Sequence, residues 1–236
     1  MIRFIYFLLC AAFLFFVFYS LLPTLYYLFF KAKPISSGEN SKRIIISFDD
    51  GPDIRYTNSI LDTLEQNNVR AAFFVVAEKA AENPEIIKRM LNDGHLVGLH
   101  SLEHRDAWKA FPSYQKIELK AGLALLSGLG CKPSFYRAPW GHLTLTSLML
   151  AKRYKLKVLL WSVMVQDWEK ESTAQRVLDR LLKKSAPGSV VCIHDSGCGK
   201  AAAEGAPAHT AEAVKTFIPL MLERGYEFVL PENTTV

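Results

Sequence analysis

Apolar positions fall into two patterns along this chain. From Phe4 to Phe30 they form a run without a charged residue, rich in Phe, Leu and Tyr. As a helix, these 27 residues would extend about 40 Å. Even if Pro23 ends or kinks it, the first part approaches the roughly 20 residues that cross a bilayer core. Tyr26 and Tyr27 suit an interfacial belt. From Arg43 onward the pattern changes. Short apolar runs predict strands at Ile44–Phe48, Ala71–Val76, Leu96–Leu99, Ser134–Arg137, Lys157–Trp161, Val190–His194 and Tyr226–Leu230. Helix-like stretches alternate with them at Thr57–Asn67, Pro84–Asn92, Ser113–Leu126, Thr144–Tyr154, Thr173–Lys184 and Thr210–Arg224. Pro84 and Thr173 mark helix starts, and Gly94 and Gly225 stand where helix ends favour glycine.

Strands alternating with helices imply a parallel sheet, closed into a barrel or left open and doubly wound. The positions of the chemical residues favour the barrel. Asp49-Asp50, His100, Arg137, Asp167 and His194 fall at or just after C-terminal strand ends, which converge on one mouth in a barrel and spread along a line in an open sheet. The expected fold class is α/β: a distorted seven-stranded (β/α) barrel with an N-terminal transmembrane helix. The expected organisation is an anchor over residues 1–30, a polar tether over 31–42 containing Pro34, Ser36, Ser37, Gly38 and Ser41, and a folded domain over 43–236.

With half its residues apolar, the chain is not disordered and can bury a full core. The 28 basic and 23 acidic residues leave a mild positive excess without a basic cluster interleaved with aromatics, so nothing points to nucleic acid. Of four cysteines, Cys10 lies in the apolar segment and Cys192 within a strand run as a buried thiol. Cys131 and Cys198 could pair only if the fold brings them together.

Two short strings carry the chemistry. Asp49-Asp50 is followed fifty residues later by His100-Ser101-Leu102-Glu103-His104. Two imidazoles four residues apart would share one face of a helical turn, and Asp50 at a strand mouth would complete a two-His-one-carboxylate face with open positions. Three protein ligands leave room for a reactive water, whereas a structural zinc site closes with four. The chain therefore reads as a metal hydrolase. Asp49, pointing away from Asp50, is the expected base. Arg137 would hold that carboxylate with its planar fork, or form a purely structural ion pair. His194 would protonate a leaving amine, with Asp167 fixing its tautomer and raising its pKa. Trp140 and Trp168 could stack on a sugar ring. His95, His142 and His209 join no constellation.

At these residues the chain resembles the polysaccharide deacetylases with a NodB-homology domain, carbohydrate esterase family four. Ser47-Phe48-Asp49-Asp50-Gly51-Pro52, His100-Ser101-Leu102-Glu103-His104, Arg137-Ala138-Pro139-Trp140-Gly141, Asp167-Trp168 and Ile193-His194-Asp195 follow the order of its five motifs. The resemblance implies hydrolysis of N-acetyl groups from N-acetylglucosamine polymers such as peptidoglycan or chitin oligosaccharides. It implies Asp50, His100 and His104 as ligands of zinc or a related divalent cation such as cobalt, and the Trp140 amide as an oxyanion donor. One position departs: Met164 stands where the fourth motif usually has another Asp. The two other readings are a catalytically silent carbohydrate-binding or assembly protein and an O-acetyl esterase. Lys31, Lys33, Lys42 and Arg43 after the apolar segment would by charge keep the domain cytoplasmic. The family's habitat instead implies a single-pass cell-membrane protein with an extracytoplasmic domain.

Overall fold

The computed structural model describes residues 1–31, 42–197 and 203–231. Eight parallel strands form one curled sheet: β1 (Arg43–Asp49), β2 (Ala72–Val76), β3 (Leu96–Ser101), β4 (Phe135–Tyr136), β5 (Lys157–Val158), β6 (Val163–Met164), β7 (Val190–His194) and β8 (Glu227–Phe228). Seven follow the path β5-β4-β3-β2-β1-β7-β6, and β8 pairs with the first residues of β1. The strand expected at Tyr226–Leu230 therefore lies off the seven-strand path. Its place is taken by β6, too short for its periodicity to be legible. The two ends of the path, β5 and β6, are consecutive in sequence, so the curl's seam lies between them.

The alternation of β1 sorts its residues into two layers. Ile44, Ile46 and Phe48 join the large core between sheet and helices, whereas Ile45 packs inside the curl with Ala72, Phe74, Leu96, Phe135 and Val190. Period-two continuation puts Ser47 and Asp49 on that inner face, and Cys192 and His194 on the inner face of β7. Asp49 is the register partner of His194, and Ser47 of Cys192. Parallel pairing thus delivers a carboxylate and an imidazole side by side at one mouth. Gly98 keeps the interior open for Phe74, whose ring would collide with a Cβ at that position.

The expected helices form as α3 (Thr57–Gln66), α5 (Pro84–Asn92), α6 (Pro112–Gly128), α7 (Leu145–Arg153), α8 (Ala174–Lys184) and α9 (Ala206–Glu223). The short helix α4 (Ala77–Glu82) was not expected. Thr144 accepts the Ser147 amide in a reciprocal capping box, and Thr173 accepts the Arg176 amide.

The N-terminal apolar segment is helical from Ile2 to Lys31. Pro23 does not end it: π-helical turns at Val17–Leu21 and Tyr27–Lys31 flank α2 (Leu22–Tyr26), after the longer α1 (Ile2–Phe16). Its first half is exposed, whereas Ser20, Pro23 and Thr24 are buried against the sheet-and-helix domain. Apart from its ends, the expected tether lies outside the described residues, as does Cys198. Cys131 is a buried free thiol, its Sγ 3.8 Å from the Val97 carbonyl.

Candidate active site

The inner-face residues of β1, β3 and β7 open onto a cavity of about 290 Å³ lined by Asp49, Asp50, His100, His104, Trp140, Trp161, Met164, Trp168, His194 and Ser196. Asp49 ends β1, and Asp50 follows in the left-handed region at φ 77°. That reversal sends the two carboxylates apart. Asp49 turns to Arg137 and Cys192, and Asp50 to the two histidines. Gly51 passes so close to the buried Asp195 that a Cβ would strike its carboxylate. Burial pushes Asp195 up to about 7, against the pull of the Thr57 hydroxyl, which donates to it at 2.6 Å, and of Lys79.

His100 and His104 converge on Asp50, with Nε2 atoms 3.2 and 3.0 Å from Oδ1. They do not share a helical turn, as their spacing suggested. His100 lies within β3, and His104 is in the following turn at φ 60°, its amide donating to Ser101 Oγ at 2.7 Å. A strand end and a tight hydroxyl-capped turn thus produce the convergence assigned to helix periodicity. His100 Nδ1 donates to the Arg137 carbonyl at 2.7 Å, which fixes the ring and turns Nε2 toward Asp50. One carboxylate oxygen and two imidazole nitrogens within 4.8 Å of one another are a donor set suited to a divalent cation, and with Nδ1 tethered His100 would ligate through Nε2. Burial would raise the Asp50 pKa, but hydrogen bonds from His100 and His104 hold it well below the usual carboxylate range.

Arg137 is completely buried. Its Nη1 donates to Asp49 Oδ1 at 2.6 Å and to Ser47 Oγ at 2.9 Å. Nε and Nη2 reach the carbonyls of Leu159 and Leu160, at 2.9 and 3.4 Å. The guanidinium lies 3.9 Å from the Phe74 ring centroid. The ion pair and the positioning reading coincide: the same fork satisfies carbonyls at the seam and orients Asp49. The other Asp49 oxygen accepts from Cys192 Sγ at 3.3 Å. Sequence reading placed Cys192 only as a buried thiol. Counting back by two from Asp49 and His194 would have put Ser47 and Cys192 beneath them.

Beside Asp49, His194 Nδ1 lies 2.9 Å from Asp167 Oδ1, while Asp167 Oδ2 accepts the His194 amide and the Thr210 hydroxyl, each at 2.8 Å. Thr210, which sequence reading saw only as a helix start, lies inside α9 and pins that carboxylate. Burial would lower the His194 pKa, but the facing Asp167 carboxylate, with smaller contributions from Asp50 and Asp49, raises it to about 10. Trp168 packs edge-on to His194 at 5.1 Å, and Trp140, half exposed at φ 54°, packs edge-on to His104 at 4.4 Å. All nine residues expected at the site are thus brought together: seven line the cavity, and Arg137 and Asp167 support it from behind. Of the three histidines left unassigned, His95 is buried and accepts the Ala71 amide, and His142 pairs with Asp106 while stacking on Trp108. His209 lies on α9.

The family model described as polysaccharide deacetylase matches residues 36–159. A peptidoglycan-N-acetylglucosamine deacetylase of Bacillus cereus is 32% identical over 199 residues, covering 84% of this chain and 70% of that protein. A peptidoglycan-N-acetylglucosamine deacetylase of Listeria monocytogenes is 33% identical over 201 residues, covering 84% of this chain and 40% of its own length. Among solved structures, a peptidoglycan N-acetylglucosamine deacetylase in complex with 4-naphthalen-1-yl-N-oxidanyl-benzamide superposes with a TM-score of 0.73 at 32% identity, covering 84% of this chain and 90% of that one. Sequence match, curled parallel sheet and cavity together place the chain in the polysaccharide deacetylase family.

Proposed function

We propose that this chain is a membrane-tethered hydrolase that removes N-acetyl groups from N-acetylglucosamine-containing polysaccharide, peptidoglycan first among candidates. One observation carries the reading: an Arg-held carboxylate and an Asp-held imidazole stand side by side in register, beside a three-residue cation site, in one cavity. Asp50, His100 and His104 would hold the divalent cation, zinc or a relative such as cobalt. When bound, it supplies Lewis acidity toward the acetyl carbonyl and lowers the pKa of water.

The chain's own groups move the protons. Asp49, held and oriented by Arg137, takes a proton from the attacking water as its oxygen bonds to the acetyl carbon. The Trp140 amide would steady the developing oxyanion. His194, protonated and held by Asp167, delivers a proton to the sugar nitrogen as the carbon–nitrogen bond breaks, releasing acetate and a free amine. Trp140 and Trp168 offer aromatic faces to the sugar ring.

The N-terminal helix, apolar and mostly exposed, supports an uncleaved anchor over residues 1–30, followed by a tether and a domain beginning near Arg43. The domain is assigned outside the cytoplasm. A reporter fused after Val236 that stayed cytoplasmic would refute that orientation. The activity is tested by acetate release from peptidoglycan and chitooligosaccharides by the full chain, stripped of metal and then resupplied with zinc or cobalt, beside Asp49→Asn. Metal-dependent release lost in the variant is expected. No release from either polymer despite bound metal would favour the ester substrate or the silent binding protein.

A further inference from the structure

The apolar N-terminal helix is not simply a leash. Met1 to Phe15 stand clear of the domain, but from Phe16 the helix lies on it. Tyr19 donates its hydroxyl to Thr146 at 2.7 Å, and Phe16 meets the Trp108 ring edge-on at 5.2 Å. The buried Thr24 hydroxyl is fully used: it donates to the Leu143 carbonyl at 3.0 Å and accepts the Leu143 amide at 2.8 Å and Trp108 Nε1 at 3.2 Å. Tyr27 and Leu28 pack against the large core. A polar seam of this kind is specific docking, not an apolar helix resting on a surface.

Length then decides where the domain sits. The free stretch from Ile2 to Phe15 extends about 21 Å as a helix, short of the roughly 30 Å hydrocarbon core. To cross, the helix must take several docked residues into or against the bilayer, and the face they dock on comes with them. That face already carries apolar side chains exposed to solvent. Phe111 is 80% exposed, three residues after Trp108. Met149 and Leu145, 63% and 47% exposed, flank Thr146 on α7. Trp108, Tyr19 and Tyr26 supply the aromatics favoured at an interface.

The active-site rim lies close by. Trp140 is 6.3 Å from His142, His142 stacks on Trp108 at 3.9 Å, and Trp108 touches Phe16, where the helix leaves the domain. Three ring-to-ring steps therefore connect the cavity wall to the point where the helix turns to lipid.

We propose that the domain is seated on the phospholipid bilayer through the face bearing Phe111, Leu145 and Met149, with the docked half of the N-terminal helix as its spine. The cavity then serves saccharide carried close to the membrane surface. The inference rests on the reading of the helix as an uncleaved membrane segment and, for the substrate, on the deacetylase reading.

The seat is tested without activity. In the full chain carrying Cys10→Ala and Cys198→Ser, Phe111→Cys or Met149→Cys bears an environment-sensitive fluorophore in vesicles containing brominated phosphatidylcholine, with Lys215→Cys on α9 as reference. Several-fold stronger quenching at 111 and 149 than at 215 is expected; equal quenching overturns the seat. A Tyr19→Cys/Thr146→Cys pair should be bridged in the same vesicles by a short bismaleimide, since the phenol that joins the two positions is too long for a direct disulfide, and failure to do so overturns the docked spine. For the substrate, the full chain should deacetylate vesicle-borne N-acetylglucosamine saccharide several-fold faster than soluble chitooligosaccharide. Phe111→Glu with Met149→Glu should remove that preference while sparing soluble turnover. Absence of the preference in the unaltered chain overturns the membrane-held substrate. No turnover of either substrate with quenching intact would instead defeat the deacetylase reading and leave the seat standing.

Discussion

Two imidazole–carboxylate arrangements meet at the same cavity, and they are built in opposite senses. Around Asp50, two histidines aim their Nε2 atoms at one carboxylate oxygen, and the far nitrogen of His100 is tied to a backbone carbonyl. Around His194, a deeply buried carboxylate grips Nδ1, and Asp167 is itself held by a backbone amide and the Thr210 hydroxyl. In the first, the carboxylate oxygen and Nε2 atoms converge on a point, which suits a shared cation. In the second, the carboxylate stands behind a single ring, which suits an imidazole that must carry a proton. The same residue types thus acquire different chemistry from which ring nitrogen is tethered, and to what.

The comparison breaks most severely at the convergent side. If His100 is a ligand as proposed, His100→Ala should lower affinity for zinc or cobalt, measured by chelator competition, by more than the roughly 10–100-fold that loss of an outer partner costs, and acetate release should vanish with it. Unchanged affinity in this variant would show that the cation does not sit between these residues. Next in size is Asp49→Asn, which keeps the volume but removes the proposed base. Release should fall about 10²–10⁴-fold with metal content unchanged. A variant that lost its metal as well would make Asp49 a ligand and collapse the division between the two aspartates.

The other side is sharpened by His194→Ala. An amide needs its nitrogen protonated to leave, whereas an ester's alkoxide relies on this less, so the loss on an N-acetyl substrate should exceed that on an O-acetyl one. Equal losses would assign His194 a role other than acid. Asp167→Asn tests the cause of the proton affinity. In metal-free protein, the His194 titration followed by NMR should drop from about 10 toward the ordinary imidazole range. Because the folded value is raised, His194 contributes stability that is fully present below about 6.5 and lost as pH rises through about 10. Asp167→Asn should therefore destabilise most at neutral and acidic pH. A titration unmoved by the substitution would remove Asp167 as the cause.

Much of both arrangements was legible because strands have a period of two and these residues sit at strand ends, where a parallel sheet gathers them. Asp49, Arg137 and His194 follow directly from that rule. His104 reached the right place by another route, since a turn closed by Ser101 leaves no periodic trace and four-residue spacing suggested a helix. β6, two residues long, was invisible for the same reason: Val163 and Met164 are held by pairing with β7, not by their own pattern. Cys192 and Thr210 were missed because a thiol in an apolar run and a threonine near a helix start each have an ordinary use. Their hydrogen bonds put one beneath Asp49 and the other behind Asp167. The docking of Thr24 was illegible too, because a lone hydroxyl in an apolar helix does not show what it will meet.

The smallest effect belongs to Met164, the residue departing from the family pattern. Its register partner is Cys192, and its side chain lines the cavity beside Trp161 and Trp168. Nothing in the proposed proton transfers uses it, so activity is expected to survive its presence. Met164→Asp would place a second carboxylate on the Asp167 side of the cavity, where added negative charge stabilises an imidazolium. His194 would then hold its proton to still higher pH, and the alkaline limb of acetate release should move upward while the plateau rate changes little. A plateau and pH profile both identical to those of the unaltered chain would show that this position does not tune the acid.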